Sequence, residues 1–262
     1  MKRISLLLFP CYLLLIAGNL YPQVRVQVVS REISKQVEWT EGMSLVINGD
    51  NAEITCSAHP AATIDIDLTI VSKHQDISNA EEDLEKMKVL VEVKDNKCYI
   101  RNYIELNRNQ ERPESAIKVI CRVMVPENCP VDVKNYFGRT DITSLNSNLT
   151  VCSEYGPVNL SDLSGSATVS SVFGDITTDG FLRKASITSS HSLINFRLDN
   201  PDQYNYYLEL SGTEIIKPDN MTILFTKNEK GKITGNISGK TDSPLISLIL
   251  TSCRLTIQQN KH

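Results

Sequence analysis

Residues 131–184 contain three consecutive stretches of equal length that align without gaps: VDVKNYFGRTDITSLNSN (131–148), LTVCSEYGPVNLSDLSGS (149–166) and ATVSSVFGDITTDGFLRK (167–184). Each stretch holds an aromatic residue followed by glycine, at Phe137-Gly138, Tyr155-Gly156 and Phe173-Gly174, so these pairs recur at a constant interval of 18. A degenerate fourth copy places His191-Ser192 at this point. A fixed period sustained over several copies is typical of proteins built from stacked structural repeats.

Hydrophobic residues keep the same register in every copy. They form three columns: Val133, Val151, Val169 and Ile187; Thr140, Val158, Ile176 and Ile194; and Leu145, Leu163 and Phe181. Each copy reads as two short alternating strands joined at the glycine, and a copy is too short for the known helical repeats. The sequence therefore predicts a mainly β fold: a single-stranded, right-handed β-helix-like solenoid of parallel strands with ~18-residue coils.

The alternation of a strand also predicts which side chains face inward. If Val133 and Phe137 point inward, Asn135 does so too, and its column continues as Ser153, Ser171 and Ser189. We expect these polar residues to form an internal ladder and the aromatic residues to stack in the same way. The glycine column marks a corner that needs either a positive φ or a close backbone approach.

The region before the repeats is rich in strand patterns and contains one helix pattern. Ser78-Asn79-Ala80-Glu81 reads as a capping box, which predicts a helix near residues 79–88. We therefore divide the chain into a signal peptide (1–22), an N-terminal β-rich segment (23–130) and β-solenoid repeats with C-terminal strands (131–257). In the last part, Cys253 occupies the place of the corner glycine.

The N-terminus has the pattern of an export signal. A basic start, Met1-Lys2-Arg3, precedes an almost wholly apolar run at residues 6–17. As a helix this run would span roughly 18 Å, too short for a hydrocarbon core of about 30 Å. The sequence thus predicts a secretory signal peptide, an exported protein of the periplasm or cell surface, and no transmembrane span after signal removal.

Six cysteines follow the predicted signal peptide, and their pattern favours core thiols. Cys121 lies on the apolar face of an alternating strand, and Cys98 shares a face with Ile100. No C-x-x-C motif occurs and no spacing matches a zinc site. An oxidising compartment still allows one or two disulfides.

These motifs together resemble the putative-adhesin family, exported bacterial β-strand-repeat proteins of unknown function. The resemblance lies in the signal peptide, a strand segment at residues 44–54, the Val125-Pro126 step that ends another strand, and the Asn-aromatic-Gly series from Asn135 to Ile176. It covers about residues 38–257 and departs from the family pattern at His191-Ser192 and Cys253. It implies a β-helix-like fold and a location in the cell envelope or on the surface.

Composition and motifs narrow the possible functions. The net charge is -4, with 27 Lys+Arg against 31 Asp+Glu, whereas nucleic-acid binding favours a basic surplus. The sequence contains no nucleophile elbow, no phosphate-binding loop, no dinucleotide fingerprint and no histidines at metal-ligand spacing. We therefore predict no catalytic residues, no metal site and no cofactor.

One outward-facing row remains as a candidate binding surface. Asp141, Asn159, Thr177 and Asn195 recur at intervals of 18 and are opposite in parity to the hydrophobic columns. With Asp162, Asp175 and Asp179 nearby, this polar strip could hydrogen-bond sugars or hold a calcium ion. The alternative is a solvated face with turn-forming Asp and Asn.

The sequence favours a non-enzymatic envelope protein whose repeats present a surface to another protein or a glycan. One alternative is a β-helix enzyme acting on polysaccharide, which needs converging carboxylates and a cation on one face. Arg139, Arg183 and Arg197 do not share one column, which weakens that alternative. Another is a periplasmic scaffold or sensor protein linked to an envelope regulator.

Overall fold

The computed structural model of the chain describes residues 25–108, 110–181, 183–198, 204–219, 224–227, 233–237 and 243–259. The signal peptide predicted for residues 1–22 lies outside these ranges. Within them, no helix combines the length and the apolar character that crossing a membrane requires.

The elements are numbered in chain order. The first part contains β1 (Gln27–Glu38), β2 (Ser44–Asp50), β3 (Ala52–His59), β4 (Thr63–His74), helix α1 (Ile77–Lys86), β5 (Met87–Lys94), β6 (Lys97–Ile104) and β7 (Ala116–Pro126). The repeats contain β8 (Val131–Tyr136), β9 (Thr140–Thr143), β10 (Leu149–Glu154), β11 (Val158–Leu163), β12 (Ser166–Val172), β13 (Ile176–Phe181), β14 (Lys184–Ser190) and β15 (Leu193–Leu198). The last part contains β16 (Asn205–Ser211), β17 (Glu214–Ile216), β18 (Leu224–Lys227), β19 (Ile233–Ile237), β20 (Leu245–Thr251) and β21 (Arg254–Gln259).

Among the residues that the structure describes, these strands form two large sheets. Sheet A has ten strands in the order β1-β4-β7-β3-β9-β11-β13-β15-β21-β17. Sheet B has eleven strands in the order β18-β19-β16-β20-β14-β12-β10-β8-β2-β6-β5. All central pairs are parallel, and antiparallel pairs occur only toward the ends of the order, among the strands described. The fold is thus mainly β with two mostly parallel sheets, as the sequence predicts at this level.

The period of the repeats has a direct structural basis. Each copy contributes one strand to sheet B and one to sheet A, and neighbouring copies pair in register with an offset of 18, as in Val151↔Val169 and Leu160↔Thr178. Residues at equivalent places therefore lie side by side on adjacent strands, which stand about 4.8 Å apart.

Among the described residues, one hydrophobic core extends from Met43 to Ile257. It contains the two predicted four-residue columns, except that Thr140 adds a buried hydroxyl. Leu145 and Leu163 of the third column are also buried, whereas the side chain of Phe181 lies outside the described residues. Burial of one face of each sheet is what stabilises this architecture.

The N-terminal strands join the same two sheets. β2 pairs with β8 and β3 pairs with β9, so the segment before residue 130 supplies a turn of chain equivalent to a repeat. β5 and β6 form a hairpin through Asp95 and Asn96, both with positive φ (49° and 57°), the conformation that two-residue hairpin turns favour.

Helix α1 differs in its limits from the predicted range of 79–88. The N-cap is Asp76, whose carboxylate accepts hydrogen bonds from the backbone N–H groups of Ser78 (2.7 Å) and Asn79 (3.3 Å). The predicted capping box at Ser78 is therefore wrong, because Asp76 already satisfies these amides. The helix ends at Lys86 because Met87 is extended and begins β5.

The C-terminal strands do not stack in chain order. β20 lies between β14 and β16, and β21 lies between β15 and β17, so the last described strands insert before an earlier segment. The register sets Cys253 beside Ser192, in the place of the corner glycine. The strands β20 and β21 on either side of Cys253 are thus not the last in the order of the sheets, because β16 and β17 lie beyond them.

The six described cysteines are free thiols. Cys152 is half-buried and the other five are buried, at 0–6% exposure. Burial raises the pKa of Cys121 to about 12 and that of Cys129 to about 11, so these thiols stay protonated at neutral pH. They act as small hydrophobic core residues.

Candidate functional site

A corner joins the two sheets in every repeat, and one residue at each corner adopts a left-handed backbone conformation. The corner column runs through Asn51, Phe137, Tyr155, Phe173, His191 and Ser252, with φ between 51° and 59°, and then Gly212 at 56°. Each backbone N–H of the column from Asn51 to Ser252 donates to a carbonyl of the next layer, from Asn51 N–H to Tyr136 O (2.7 Å) through Ser252 N–H to Ser211 O (2.8 Å). The column is therefore continuous along the molecule.

The aromatic residues of this column point outward, and the expectation of an inward column is wrong. Val133 and Asn135 are buried as predicted, but Phe137, Tyr155 and Phe173 are 60%, 52% and 51% exposed. The physical reason is the positive φ: the strand alternation ends at the residue before the corner, and the left-handed conformation turns the next side chain to solvent.

The four rings form an exposed ladder. The ring centroids of Phe137 and Tyr155 are 5.0 Å apart, those of Tyr155 and Phe173 5.4 Å, and those of Phe173 and His191 4.8 Å. Interplanar angles of 6°, 7° and 24° make these stacked pairs. We call Phe137, Tyr155, Phe173 and His191 the aromatic ladder; it offers ring edges along its length and one outer ring face at each end.

The corner glycines are required by close backbone approach and not by φ. A Cβ on Gly138 would lie 1.9 Å from the carbonyl oxygen of Ala52, and one on Gly156 would lie 2.0 Å from that of Gly138. For Gly174 the distance to Gly156 O is 2.2 Å. Of the two explanations that the sequence left open, close approach is the one found here.

The buried polar residues Asn135, Ser153 and Ser171 form hydrogen bonds to backbone carbonyls at the corners. Ser153 Oγ donates to Gly156 O (3.1 Å), Ser171 Oγ donates to Gly174 O (2.9 Å), and Asn135 Nδ2 donates to Ala52 O (2.9 Å). The serine bonds close within their own corner instead of running from serine to serine along the stack, which corrects the expected internal ladder. They satisfy carbonyls that would otherwise be buried without a partner.

The polar strip predicted from sequence lies on the outer face of sheet A. Asp141, Asn159, Thr177 and Asn195 are half-buried and directly paired across β9, β11, β13 and β15. Asp141 is largely occupied within the protein, because Arg139 Nε donates to both carboxylate oxygens (2.8 and 2.7 Å) and Asn159 Nδ2 donates to Oδ1 (2.7 Å). Across the residues that the structure describes, no three His, Cys, Asp or Glu side chains are grouped to hold a metal ion.

Each end of the aromatic ladder borders a cavity. At the His191 end a cavity of about 560 Å³ includes Asp175, Leu193, Glu214 and Arg254 in its lining. Glu214 is bound there by Arg254 (Nε to Oε2, 2.7 Å), and Asp175 accepts the backbone N–H of Leu193 (3.0 Å). Both carboxylates therefore already have partners.

The cavity at the Phe137 end is larger, about 610 Å³, and lies on the outer face of sheet B. We call it the β2 furrow. Its outward-facing side chains come in pairs from three adjacent strands: Arg101 and Tyr103 from β6, Asn48 and Asp50 from β2, and Lys134 and Tyr136 from β8. The residues of β2 and β6 lie on the side of Phe137 away from Tyr155, so the outer face of the Phe137 ring borders this furrow.

Sequence reasoning missed the β2 furrow. Its six outward-facing side chains come from three strands that are far apart in the chain, and of these six only Lys134 and Tyr136 belong to the repeats. The available signal is the outward parity of Arg101 with Tyr103 and of Lys134 with Tyr136, but the pairing of β6 with β2 cannot be read from periodicity.

One buried carboxylate exists among the described residues, that of Asp83, at 4% exposure. Lys86 Nζ donates to Oδ1 (2.8 Å), and the backbone N–H groups of Glu114 and Ser115 donate to Oδ2 (2.9 Å each). Burial raises the pKa of this carboxyl, but the hydrogen bonds from Lys86 and Ser115 outweigh burial and leave it below its usual 3.8. Asp83 is thus a saturated acceptor that anchors residues 114–115, unsuited to the proton-donor role of a glycosidase.

The left-handed backbone conformation of the ladder residues can be tested by substitution at Phe173. Phe173→Ala removes two stacking contacts and keeps a Cβ in an unfavourable conformation, so we expect a loss of about 1–3 kcal/mol in the free energy of unfolding. Phe173→Gly removes the same contacts but relieves the strain at φ 56°, and should be more stable than the alanine variant by about 1 kcal/mol. Urea denaturation of both variants measures the difference; an alanine variant as stable as the glycine variant contradicts the left-handed corner.

Comparison with known proteins gives weak similarities. No protein-family model and no curated protein matches the chain.

A solved structure of a "putative cell adhesion protein" from Clostridium sporogenes is 11% identical with a TM-score of 0.42, and the match covers 88% of this chain and 100% of that one. A "putative adhesin" from Bacteroides fragilis is 13% identical with a TM-score of 0.36, covering 88% and 97%. A "putative lipid binding protein" from Parabacteroides distasonis is 14% identical with a TM-score of 0.29, covering 88% and 96%. Similarity at this level carries no argument about ligand or activity.

Proposed function

We propose that this chain is an exported, non-enzymatic binding protein of the cell envelope that contacts a glycan through the aromatic ladder. The observation that carries the proposal is the exposure of the ladder: three rings of Phe and Tyr, each more than half exposed and stacked in a row. Exposed apolar surface of this kind, with polar rows beside it, is typical of binding surfaces.

Backbone strain supports the same interpretation. Left-handed backbone suits Gly and Asn, and it costs energy for a bulky residue. The corner column nevertheless carries Phe, Tyr, Phe and His at four successive positions. Strain of this kind is concentrated at functional sites, where the surrounding structure maintains it.

Sugars suit this surface because of its shape and chemistry. The exposed ring edges, and the outer ring faces at the two ends, give apolar surface for the C–H faces of hexoses, while the sugar hydroxyls require acceptors and donors close to the rings. The polar strip supplies Asn159, Thr177 and Asn195 on the sheet A side of the corners, so a chain of sugars laid along the ladder meets both kinds of group. A protein partner is the alternative for the same surface.

We extend the proposal to the architecture and location. The order of strands in both sheets and the constant offset between paired repeats support a right-handed β-helix-like solenoid over residues 131–257, after an N-terminal segment at 23–130. The pattern of residues 1–22 supports export, and protease treatment of intact and lysed cells distinguishes the cell surface from the periplasm.

The ladder proposal predicts a loss of glycan binding in a double variant. Tyr155→Gly with Phe173→Gly removes two rings and keeps the backbone conformation, so retention on immobilised polysaccharides should weaken about tenfold or more. Tyr207→Ser is the matched control, an exposed tyrosine (39%) outside the ladder, and should bind as the unaltered protein does. Equal binding by the double variant, or no retention of the unaltered protein on any polysaccharide, contradicts the proposal.

A further inference from the structure

We propose that the β2 furrow binds a hexuronate, the carboxylated sugar of an acidic polysaccharide. The inference rests on the proposed function, since it assigns the class of sugar that reaches the Phe137 end of the aromatic ladder. Four features of the furrow carry it: shape, unpaired cations, ring surfaces and fixed hydrogen-bonding groups.

The shape follows from the lengths of the side chains on three adjacent strands. Asn48 and Asp50 on β2 are short, whereas Arg101 and Tyr103 on one side and Lys134 and Tyr136 on the other are long. Because neighbouring strands stand about 4.8 Å apart, the two walls are separated by roughly 10 Å at the Cα atoms. A slot of this width and a volume of about 610 Å³ accepts a sugar ring and its neighbour.

Two cations face each other across this slot. The register places Asn48 opposite both Arg101 and Lys134. Among the described residues, neither cation makes an ion pair, in contrast to Arg139 and Arg254, which bind carboxylates at 2.7 Å. Arg101 Cζ lies 5.6 Å from the centroid of the Tyr103 ring, which holds the guanidinium at the wall. Unpaired cations on both sides of a slot suit a carboxylate between them.

The other end of the slot carries aromatic and hydrogen-bonding groups. Tyr103 and Tyr136 are 36% and 44% exposed and flank Asp50, and the outer face of Phe137 closes the row. Sugar hydroxyls can donate to the Asp50 carboxylate while the ring packs on the tyrosines. Asp50 lies two residues along β2 from Asn48, so a singly charged carboxylate between the two cations meets less repulsion from Asp50 than a doubly charged phosphate would.

The floor of the furrow is held in place from the core side. Buried Asn102 donates through Nδ2 to Asp50 O (2.7 Å), and its Oδ1 accepts the backbone N–H of Asp50 (3.1 Å). The pairing of β2 with β6 ends at Asn48↔Arg101, and the Asn102 side chain continues it by bonding the backbone of Asp50, which fixes the position of Asp50. A site whose hydrogen-bonding groups are already fixed loses less entropy on binding.

The test compares oligogalacturonate with its methyl ester by titration calorimetry, because esterification removes the charge of the carboxyl group and adds only one methyl group to the same sugar. The acid should bind about tenfold or more tightly than the ester. The Arg101→Ala, Lys134→Ala double variant should lose about tenfold or more in affinity for the acid and little for the ester. Lys184→Ala, an exposed cation on strand β14 of the same sheet, is the matched control and should leave both affinities unchanged.

The possible results distinguish a failure of the hexuronate assignment from a failure of the proposed function. Equal binding of acid and ester, or an unaffected double variant, overturns the hexuronate assignment even if the ladder double variant loses binding to neutral polysaccharide. Equal binding of polyglutamate also overturns it, because the furrow would then respond to negative charge alone. Failure of oligogalacturonate and of alginate oligosaccharides to bind at all overturns it as well. The proposed function is contradicted by different results: equal binding by the ladder double variant, or no retention of the unaltered protein on any polysaccharide.

Discussion

Gly156→Ala should lower the free energy of unfolding by about 4 kcal/mol or more. The added Cβ would lie 2.0 Å from the carbonyl oxygen of Gly138 and 2.7 Å from its carbon, both in the backbone of the neighbouring repeat. No rotation of a side chain can relieve a backbone contact, so the two layers would have to separate at the corner. Separation there would weaken the hydrogen bond from Phe137 N–H to Glu154 O (2.9 Å) and the stacking of Phe137 on Tyr155.

Gly180→Ala is the control that distinguishes crowding from backbone conformation. Gly180 has a φ of +71°, but a Cβ added to it meets nothing within 4 Å. The alanine variant should therefore lose only about 1–2 kcal/mol, the cost of the left-handed conformation. Urea denaturation of both variants measures the two effects. The fourth copy has Ser192 in the place of the corner glycine, so that corner accommodates a Cβ. If both alanine variants lost only a small and similar amount of stability, the corner at Gly156 could also accommodate a Cβ, and the crowding argument would be contradicted.

Phe196→Ala should cost about 3–5 kcal/mol of stability, by loss of buried apolar surface and creation of a cavity. Phe196 is 0% exposed and points inward from β15, between Thr178 on β13 and Ile257 on β21. In a domain of this size, such a loss should lower the melting temperature by roughly 10 °C. Ile257 on β21 is one of the two strand neighbours of Phe196. The variant therefore also tests whether β21 lies beside β15.

Phe173→Ala is the matched control for this substitution, since it makes the same change in a side chain that is 51% exposed. It should cost distinctly less, about 1–3 kcal/mol from its two stacked neighbours. Thermal denaturation of both variants under one condition gives the comparison. If Phe173→Ala were as destabilising as Phe196→Ala, the outward orientation of the ladder would be contradicted.

Much of the fold can be predicted from the sequence because the repeats impose local rules. The constant spacing of the repeats and the alternation of apolar positions predict the strands of residues 131–198, their parallel pairing and their buried columns. The spacing and the alternation both describe contacts between neighbouring copies. Copies that are adjacent in the sequence are therefore also adjacent in the sheets. The insertion of β20 and β21 before β16 and β17 breaks this relation, and no repeat signal indicates it.

The candidate site could likewise be predicted from the sequence only in part. Sequence spacing predicts that Phe137, Tyr155, Phe173 and His191 stack, but not that they lie outside, because strand parity is valid only where φ stays negative. It also places the polar strip on the outer face of sheet A, yet gives no sign that Arg139 and Asn159 occupy Asp141.

By itself, the sequence determined the repeat, the stacking of equivalent residues and the burial of its apolar columns, because periodicity acts through contacts between identical positions. Only the tertiary structure decided which way the rings face and which strands meet at the β2 furrow. The first depends on a backbone angle at the corner residue, and the second on the long-range pairing of β6 with β2 and β8. The periodic aromatic-Gly pair marks the corner but does not give the backbone angle of its first residue, and the pairing of β6 with β2 leaves no periodic trace. The surface proposed to bind sugar is therefore a property of the folded protein.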